Sequence, residues 1–199
     1  WPSFNKYTFA ISSSITSMSI NQSNINIPKT FINTKMNSYK NRMLKNLFYS
    51  FYIILIDQIS KFLVLFTLGF DKSKNIIPNL LNFTLVKNKG AAFSLFRDST
   101  TLLTIISVFA SLILITLIFK YPPRSYWNSI GIAYLLGGTV GNGLDRLFKG
   151  YVLDFLEIVP IDFPIFNVAD IAINIAIICF IIDLISSKNQ WKQTSKKWK

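Results

Sequence analysis

Asp154 and Asp170 lie on either side of a short, Pro-containing connection between two apolar blocks, residues 127–148 and 166–186. If both blocks cross a membrane they run antiparallel, so the end of the first and the start of the second share one membrane face. The chain then brings two carboxyls to one depth, at the edge of a medium where a lone carboxylate is costly. Two carboxyls sharing a site cannot both ionise easily, and the pair holds a proton. One member can then activate water while its protonated neighbour polarises a carbonyl, as aspartic proteases do. Acid–base hydrolysis at a membrane surface is the first chemistry these residues suggest.

Other polar residues interrupt the apolar blocks. Asp57 and Lys61, four apart, share a helix face and pair there. Asn142, Asp145 and Arg146 follow at i, i+3 and i+4 and form a polar stripe facing the bundle. An Asp145–Arg146 pair would occupy one side of the guanidinium and leave donors spare for a carbonyl or an anionic headgroup. Gly137 and Gly141 form a GxxxG step that lets helices approach closely. Asn167 suits a helix N-cap and Asp170 a first-turn acid, which is the structural alternative to a catalytic role. Asp154 nearby adds a like-charge cost that the structural alternative leaves unexplained.

The elements that must position these groups are helices. The 199-residue chain is 51% hydrophobic, with a mean hydropathy of +0.40. Its apolar residues come in four blocks, 46–70, 99–119, 127–148 and 166–186, each near the ~20 residues a membrane helix needs. The expected architecture is an all-α integral membrane protein with four transmembrane helices. Its one compact domain covers residues 40–199, including a basic C-terminal tail.

A net charge of +12 raises nucleic acid as a partner, but the distribution argues for a membrane. Lys40, Arg42 and Lys45 precede the first block, Lys120 and Arg124 fill the second connection, and Lys188, Lys192, Lys196, Lys197 and Lys199 follow the last block. With four spans these segments share one side, which the Lys/Arg excess marks as cytoplasmic, with both termini there. Lys72, Lys74, Lys87, Lys89 and Arg97 in the first outer connection run against this pattern. The short flanks and the short second loop weigh more in setting orientation. Basic flanks also favour anionic phospholipid headgroups as partners.

The single cysteine, Cys179, reads as a small buried apolar residue, and there is no histidine. His-based triads and zinc sites are thereby excluded, and no metal or other cofactor is expected. Residues 1–39 are rich in Ser, Asn, Ile and Thr and contain no acid. They are read as a leader outside the fold and poorly ordered, either a transit segment or an over-extended start with the initiator at Met36 or Met43. The lack of Arg and of an amphipathic period favours the second reading.

The first outer connection, residues 71–98, is long enough to be a lid or binding loop. Residues 83–86 within it have strand propensity. The second connection is a stiff turn, and the third, residues 150–165, is an acidic outer loop with two prolines.

Five motifs in order resemble those of the bacterial lipoprotein signal peptidases (signal peptidase II). They are Asp57-Gln58-Ile59-Ser60-Lys61; Val86-Lys87-Asn88-Lys89-Gly90-Ala91-Ala92-Phe93-Ser94; Gly137 to Arg146 with its Gly-Asn-x-x-Asp-Arg core; Val152-Leu153-Asp154-Phe155; and Phe163-Pro164-Ile165-Phe166-Asn167-Val168-Ala169-Asp170. The resemblance covers residues 44–187 and leaves the leader unmatched. It implies a membrane aspartic endopeptidase that removes the signal peptide of prolipoproteins, cutting before a diacylglyceryl-modified cysteine. Asp154 and Asp170 correspond to the family's catalytic aspartates. Asn88, Asn142, Arg146 and Asn167 correspond to residues lining the substrate or antibiotic site, with Asp57, Lys61, Asp145 and Gly90 in support. The first outer loop corresponds to an extracytoplasmic β-cradle with a short surface helix. The implied location is the bacterial plasma membrane with the site facing outward, and globomycin-type cyclic peptides would inhibit. A proton-coupled carrier would spread its polar residues through the bilayer depth and show a repeat. A purely structural assembly protein would leave Asp154, Asp170 and Arg146 without a role.

Overall fold

The protein is described here by a computed structural model covering residues 29–70, 72–90, 99–121, 123, 125–161 and 163–196. Residues 37–199 form one compact unit. The proposed leader falls largely outside the described residues, which begin with the helix at Lys29.

Among the described residues four helices and three strands follow in order: α1 (Lys29–Leu68), β1 (Ser73–Ile77), β2 (Leu81–Asn88), α2 (Thr100–Lys120), α3 (Tyr126–Lys149), β3 (Val152–Ile158) and α4 (Val168–Lys196). Each apolar block overlaps a helix, and α1 begins well before its block while α4 runs well past its own. Segments of three, Met36–Leu68, Thr100–Lys120 and Val168–Ser187, are long and apolar enough to cross a membrane. They present large apolar side chains outward, among them Phe62, Phe66, Phe109 and Leu184, an arrangement suited to hydrocarbon rather than water. α3 has the length, but its glycines, Asn128, Asn142, Asp145 and Arg146 dilute its apolar character. Composition therefore supports three spans among the described residues, one fewer than expected.

α3 is polar and glycine-rich because it packs against all three other helices. A Cβ on Gly137 would lie 2.7 Å from Ile53 of α1, and one on Gly138 2.5 Å from the Ala169 carbonyl oxygen of α4. Gly141 faces Asp57 of α1, and Gly143 faces Ser107 of α2. The GxxxG step thus serves α1, while the intervening Gly138 serves α4. Ser125 caps the start of α3 by accepting from the Asn128 N–H at 2.9 Å. Gly150 ends it at φ 75°, a conformation that suits glycine.

The all-α expectation needs amendment. The strands form one antiparallel sheet in the order β1-β2-β3. The expected strand at residues 83–86 is the middle of β2, and β3 occupies what the sequence reading took as an acidic loop. Leu85, Leu153 and Phe155 on one face of the sheet pack with Val64 near the end of α1. That burial offsets the loop character lent by Pro160 and the acids. The connection has no helix among residues 72–90, and residues 91–98, where a surface helix would have to lie, are outside the described residues.

Candidate active site

Asp154 sits on β3 rather than at a helix end. β2 and β3 pair Val86 with Asp154 and Asn88 with Val152. Asn88 and Asp154 are therefore diagonal neighbours on one face of the sheet, and Asn88 Nδ2 donates to Asp154 Oδ2 at 2.9 Å. The Asn88 oxygen in turn accepts from the Gly90 N–H at 2.9 Å.

The chain then folds back so that Phe166 bridges Leu156 of β3, which delivers Asn167 beside Asp154. Asn167 Nδ2 donates to Asp154 Oδ1 at 2.6 Å. The same residue caps α4 reciprocally. Its Oδ1 accepts from the Asp170 N–H at 3.0 Å, and its own N–H donates to Asp170 Oδ2 at 3.1 Å. This is a capping box with Asp170 in the acid position. The capping role and the contact to Asp154 coexist: Asn167 joins the two carboxyls because it is the cap.

Behind the carboxyls lies a buried polar network. Lys61 is fully buried and places Nζ 2.8 Å from Asp57 Oδ2, 3.0 Å from Asp145 Oδ2 and 3.0 Å from Asn142 Oδ1. An ammonium has three donors, and all three are used. Because Lys61 can only donate, Asn142 must turn its oxygen toward it. Asn142 therefore turns Nδ2 toward Asp170 Oδ1, at 2.8 Å. Asn167 Nδ2 also donates to Asn142 Oδ1, at 3.0 Å. The lysine sets the orientation of the amides that hold Asp170.

Asp57 ties α1 to the start of α4 by accepting from the Ala169 N–H at 2.9 Å. Asp145 accepts from Lys149 at 2.7 Å and from the Leu153 N–H at 3.1 Å, tying α3 to β3. The sequence reading paired Asp145 with Arg146. In the structure Asp145 is committed to the two lysines instead, since Arg146 is on a neighbouring face of α3. Arg146 Nη2 reaches the Gly90 carbonyl at 3.4 Å, and its Nε is buried without an acceptor. It lines a cavity of about 260 Å³ with Thr100, Thr101 and Thr104 at the start of α2.

Gln58 was not singled out from sequence. Its Nε2 contacts Asp57 Oδ2, the Gly141 carbonyl and Asp145 Oδ1, stitching the same network. Its place next to Asp57 in an apolar block was the available signal.

Burial is the main influence on the Asp154 carboxyl, followed by the Asp170 charge; together they push it up to about 7. The Asn88 and Asn167 hydrogen bonds and the more distant Lys61 oppose the rise without cancelling it. Near neutral pH this carboxyl therefore both takes up and releases a proton readily. Such a pair, with a guanidinium beside it whose Nε has no acceptor, can move protons to and from a bound amide.

The fold matches that of solved membrane enzymes. One bacterial membrane enzyme, determined by the in meso method at 2.3 Å, aligns with a TM-score of 0.68 at 29% identity, over 73% of this chain and 90% of that one. A second, at 1.9 Å, aligns with a TM-score of 0.64 at 30% identity, over 70% and 92%. Residues 49–186 match the signal peptidase (SPase) II family model. The lipoprotein signal peptidase of Parasynechococcus marenigrum is 46% identical over 136 residues, covering 68% of this chain and 86% of that one. That of Enterococcus faecalis is 36% identical over 141 residues, covering 71% and 88%. The chain belongs to the signal peptidase II family and is a membrane-protein peptidase.

Proposed function

We propose that Asp154 and Asp170 are the catalytic dyad of an aspartic endopeptidase that cleaves prolipoproteins before the diacylglyceryl-modified cysteine. The observation that carries this reading is the joining of a buried carboxyl, Asp154, and a half-buried one, Asp170, through the one residue Asn167. The dyad enters the reaction sharing one proton. Its carboxylate takes a proton from water as the water oxygen bonds to the scissile carbonyl carbon. The protonated member then gives its proton to the amide nitrogen as the C–N bond breaks. The two aspartates exchange roles, and one proton remains on the pair. They titrate as a unit, so base and acid are assigned to the dyad and not to either residue.

Arg146 supplies donors for a substrate carbonyl, while on the sheet side Asn88 holds Asp154 and the Gly90 carbonyl meets Arg146. In this reading α3 also crosses the membrane, giving four spans. The site faces outward from the plasma membrane, because Arg42, Lys45 and Lys120 mark the opposite end as cytoplasmic. A lipidated substrate is itself held in the bilayer, so its scissile bond arrives at the depth of the pair.

Asp154→Asn and Asp170→Asn should each abolish cleavage of a lipid-modified prolipoprotein in reconstituted membranes while the protein remains inserted. Processing at the wild-type rate by either variant would remove the dyad assignment. Strong inhibition by EDTA would point to metal-dependent hydrolysis instead.

A further inference from the structure

A second polar cluster lies at the other end of the bundle and has no part in the peptidase chemistry. Asn46 is fully buried on α1 and accepts from the Ser129 hydroxyl of α3. Ser50 donates to the Ala133 carbonyl at 3.0 Å. Ser125, the cap of α3, donates to Asp183 of α4. The Tyr39 hydroxyl reaches the Lys120 carbonyl at the end of α2 at 3.1 Å. All four helices thus meet here.

A cavity of about 250 Å³ opens beside this cluster, lined by Arg42, Lys45, Tyr49, Ser125, Tyr126 and Ser129. Its cationic groups are in excess. Asp183 is the acid in this cluster, and it is engaged by Ser125. Arg42 Nε is buried without an acceptor, and so is the neighbouring Asn46 Nδ2. A buried donor without a partner is costly, so the site calls for a ligand rich in acceptors. The first turn of α3, which starts at this cavity, favours negative charge as well.

The surroundings indicate the source of that ligand. Tyr126 is 72% exposed, Tyr121 69% and Tyr49 48%, and Trp127 stacks edge-on against Tyr126. Exposed tyrosine and tryptophan at the end of apolar helices mark headgroup depth. A basic cavity between helices at that depth fits a lipid phosphate.

We propose that Arg42 and Lys45, with the start of α3, form a binding site for the headgroup of an anionic phospholipid on the membrane face opposite the aspartates. The phosphate supplies acceptors to Arg42 Nε and to the Lys45 ammonium, while the acyl chains lie along the apolar surfaces of α1 and α3. The inference rests on the membrane reading and not on the dyad, and binding is read without reference to cleavage.

The test measures thermal unfolding of the purified full chain in a neutral detergent, with added phosphatidylglycerol, phosphatidylcholine or inorganic phosphate. Phosphatidylglycerol should raise the unfolding temperature by at least about 2 °C, and the other two should not. An Arg42→Gln/Lys45→Gln variant should lose that rise. A charge-matched Lys72→Gln/Lys74→Gln variant, altered near the exposed strand β1, should keep it. If the first variant does not fold, Lys45→Gln alone, at an exposed position, should lose at least half of the rise. An equal response to phosphatidylcholine, or an unchanged response in the Arg42/Lys45 variant, would overturn the site. An equal response to inorganic phosphate would overturn the lipid as its occupant.

Discussion

Replacing Lys61 by Met should test the interior of the protein more severely than any change at the aspartate pair. Lys61 faces three acceptors at 2.8–3.0 Å, two of them carboxylates with no exposed side-chain surface. Removing one partner of a buried charge pair costs about 3–5 kcal/mol, because the remaining charge is left without compensation. The cost should fall near the lower limit here. Asp57 keeps the Ala169 N–H at 2.9 Å, and Asp145 keeps Lys149 at 2.7 Å and the Leu153 N–H at 3.1 Å. A loss of about 3 kcal/mol corresponds to a fall of roughly 6–12 °C in unfolding temperature for a chain of this size. Thermal unfolding in detergent, followed by tryptophan fluorescence, reads it directly. Activity should fall at least ~10-fold at temperatures where the variant is folded, because Asn142 is released to turn its oxygen toward Asp170. Adding Asp57→Asn should restore part of the stability, because Asp57 loses its cation in the variant whereas Asp145 keeps Lys149. An unfolding temperature within about 2 °C of wild type, in Lys61→Met alone, would refute the reasoning.

Asn142→Asp replaces the donor 2.8 Å from Asp170 Oδ1 by an acceptor, and should lower kcat roughly 10–100-fold with the fold retained through Lys61. A steady-state assay on that variant, with wild-type kcat as the refuting result, checks it. The raised Asp154 pKa, about 7 against an ordinary 3.8, means the folded protein holds this proton more tightly than the unfolded chain. The resulting stabilisation is fully present below pH 3.8 and is lost as pH rises through 7, an effect on the order of 4 kcal/mol. Unfolding temperature should therefore decline between pH 5 and pH 8, and the slope should flatten in Asp154→Asn. Gly138→Ala drives a Cβ to 2.5 Å from a backbone carbonyl of α4 and should cost about 1–3 kcal/mol. Gly143→Ala, 3.2 Å from the Ser107 Cβ, should cost less than about 1 kcal/mol by the same melting assay.

The helices were legible because their apolar blocks are long and sharply bounded, and the Asp57–Lys61 pair because four residues make one turn. β3 was not legible. Its residues 152–158 carry two acids and precede Pro160, and only the packing of Leu153 and Phe155 on α1 makes them a strand. The partner of Asp145 was also hidden, since Lys61 lies 84 positions earlier in the chain and nothing local distinguishes it from Arg146 next door. Proximity of Asp154 and Asp170 followed from antiparallel connectivity alone. The means of holding them, a strand register on one side and a helix cap on the other, required the tertiary structure.

Asn167 has a consequence for how this site can fail. Helix starts ordinarily fray at little cost to the rest of a protein, because the first turn is the least cooperative part of a helix. Here the first turn of α4 and the contact to Asp154 depend on the same residue, Asn167. Opening that turn frees the Asn167 side chain, and with it the hydrogen bond that ties Asp154 to the start of α4. Hydrogen exchange at the Asp170 amide therefore counts how often the link between the two carboxyls opens.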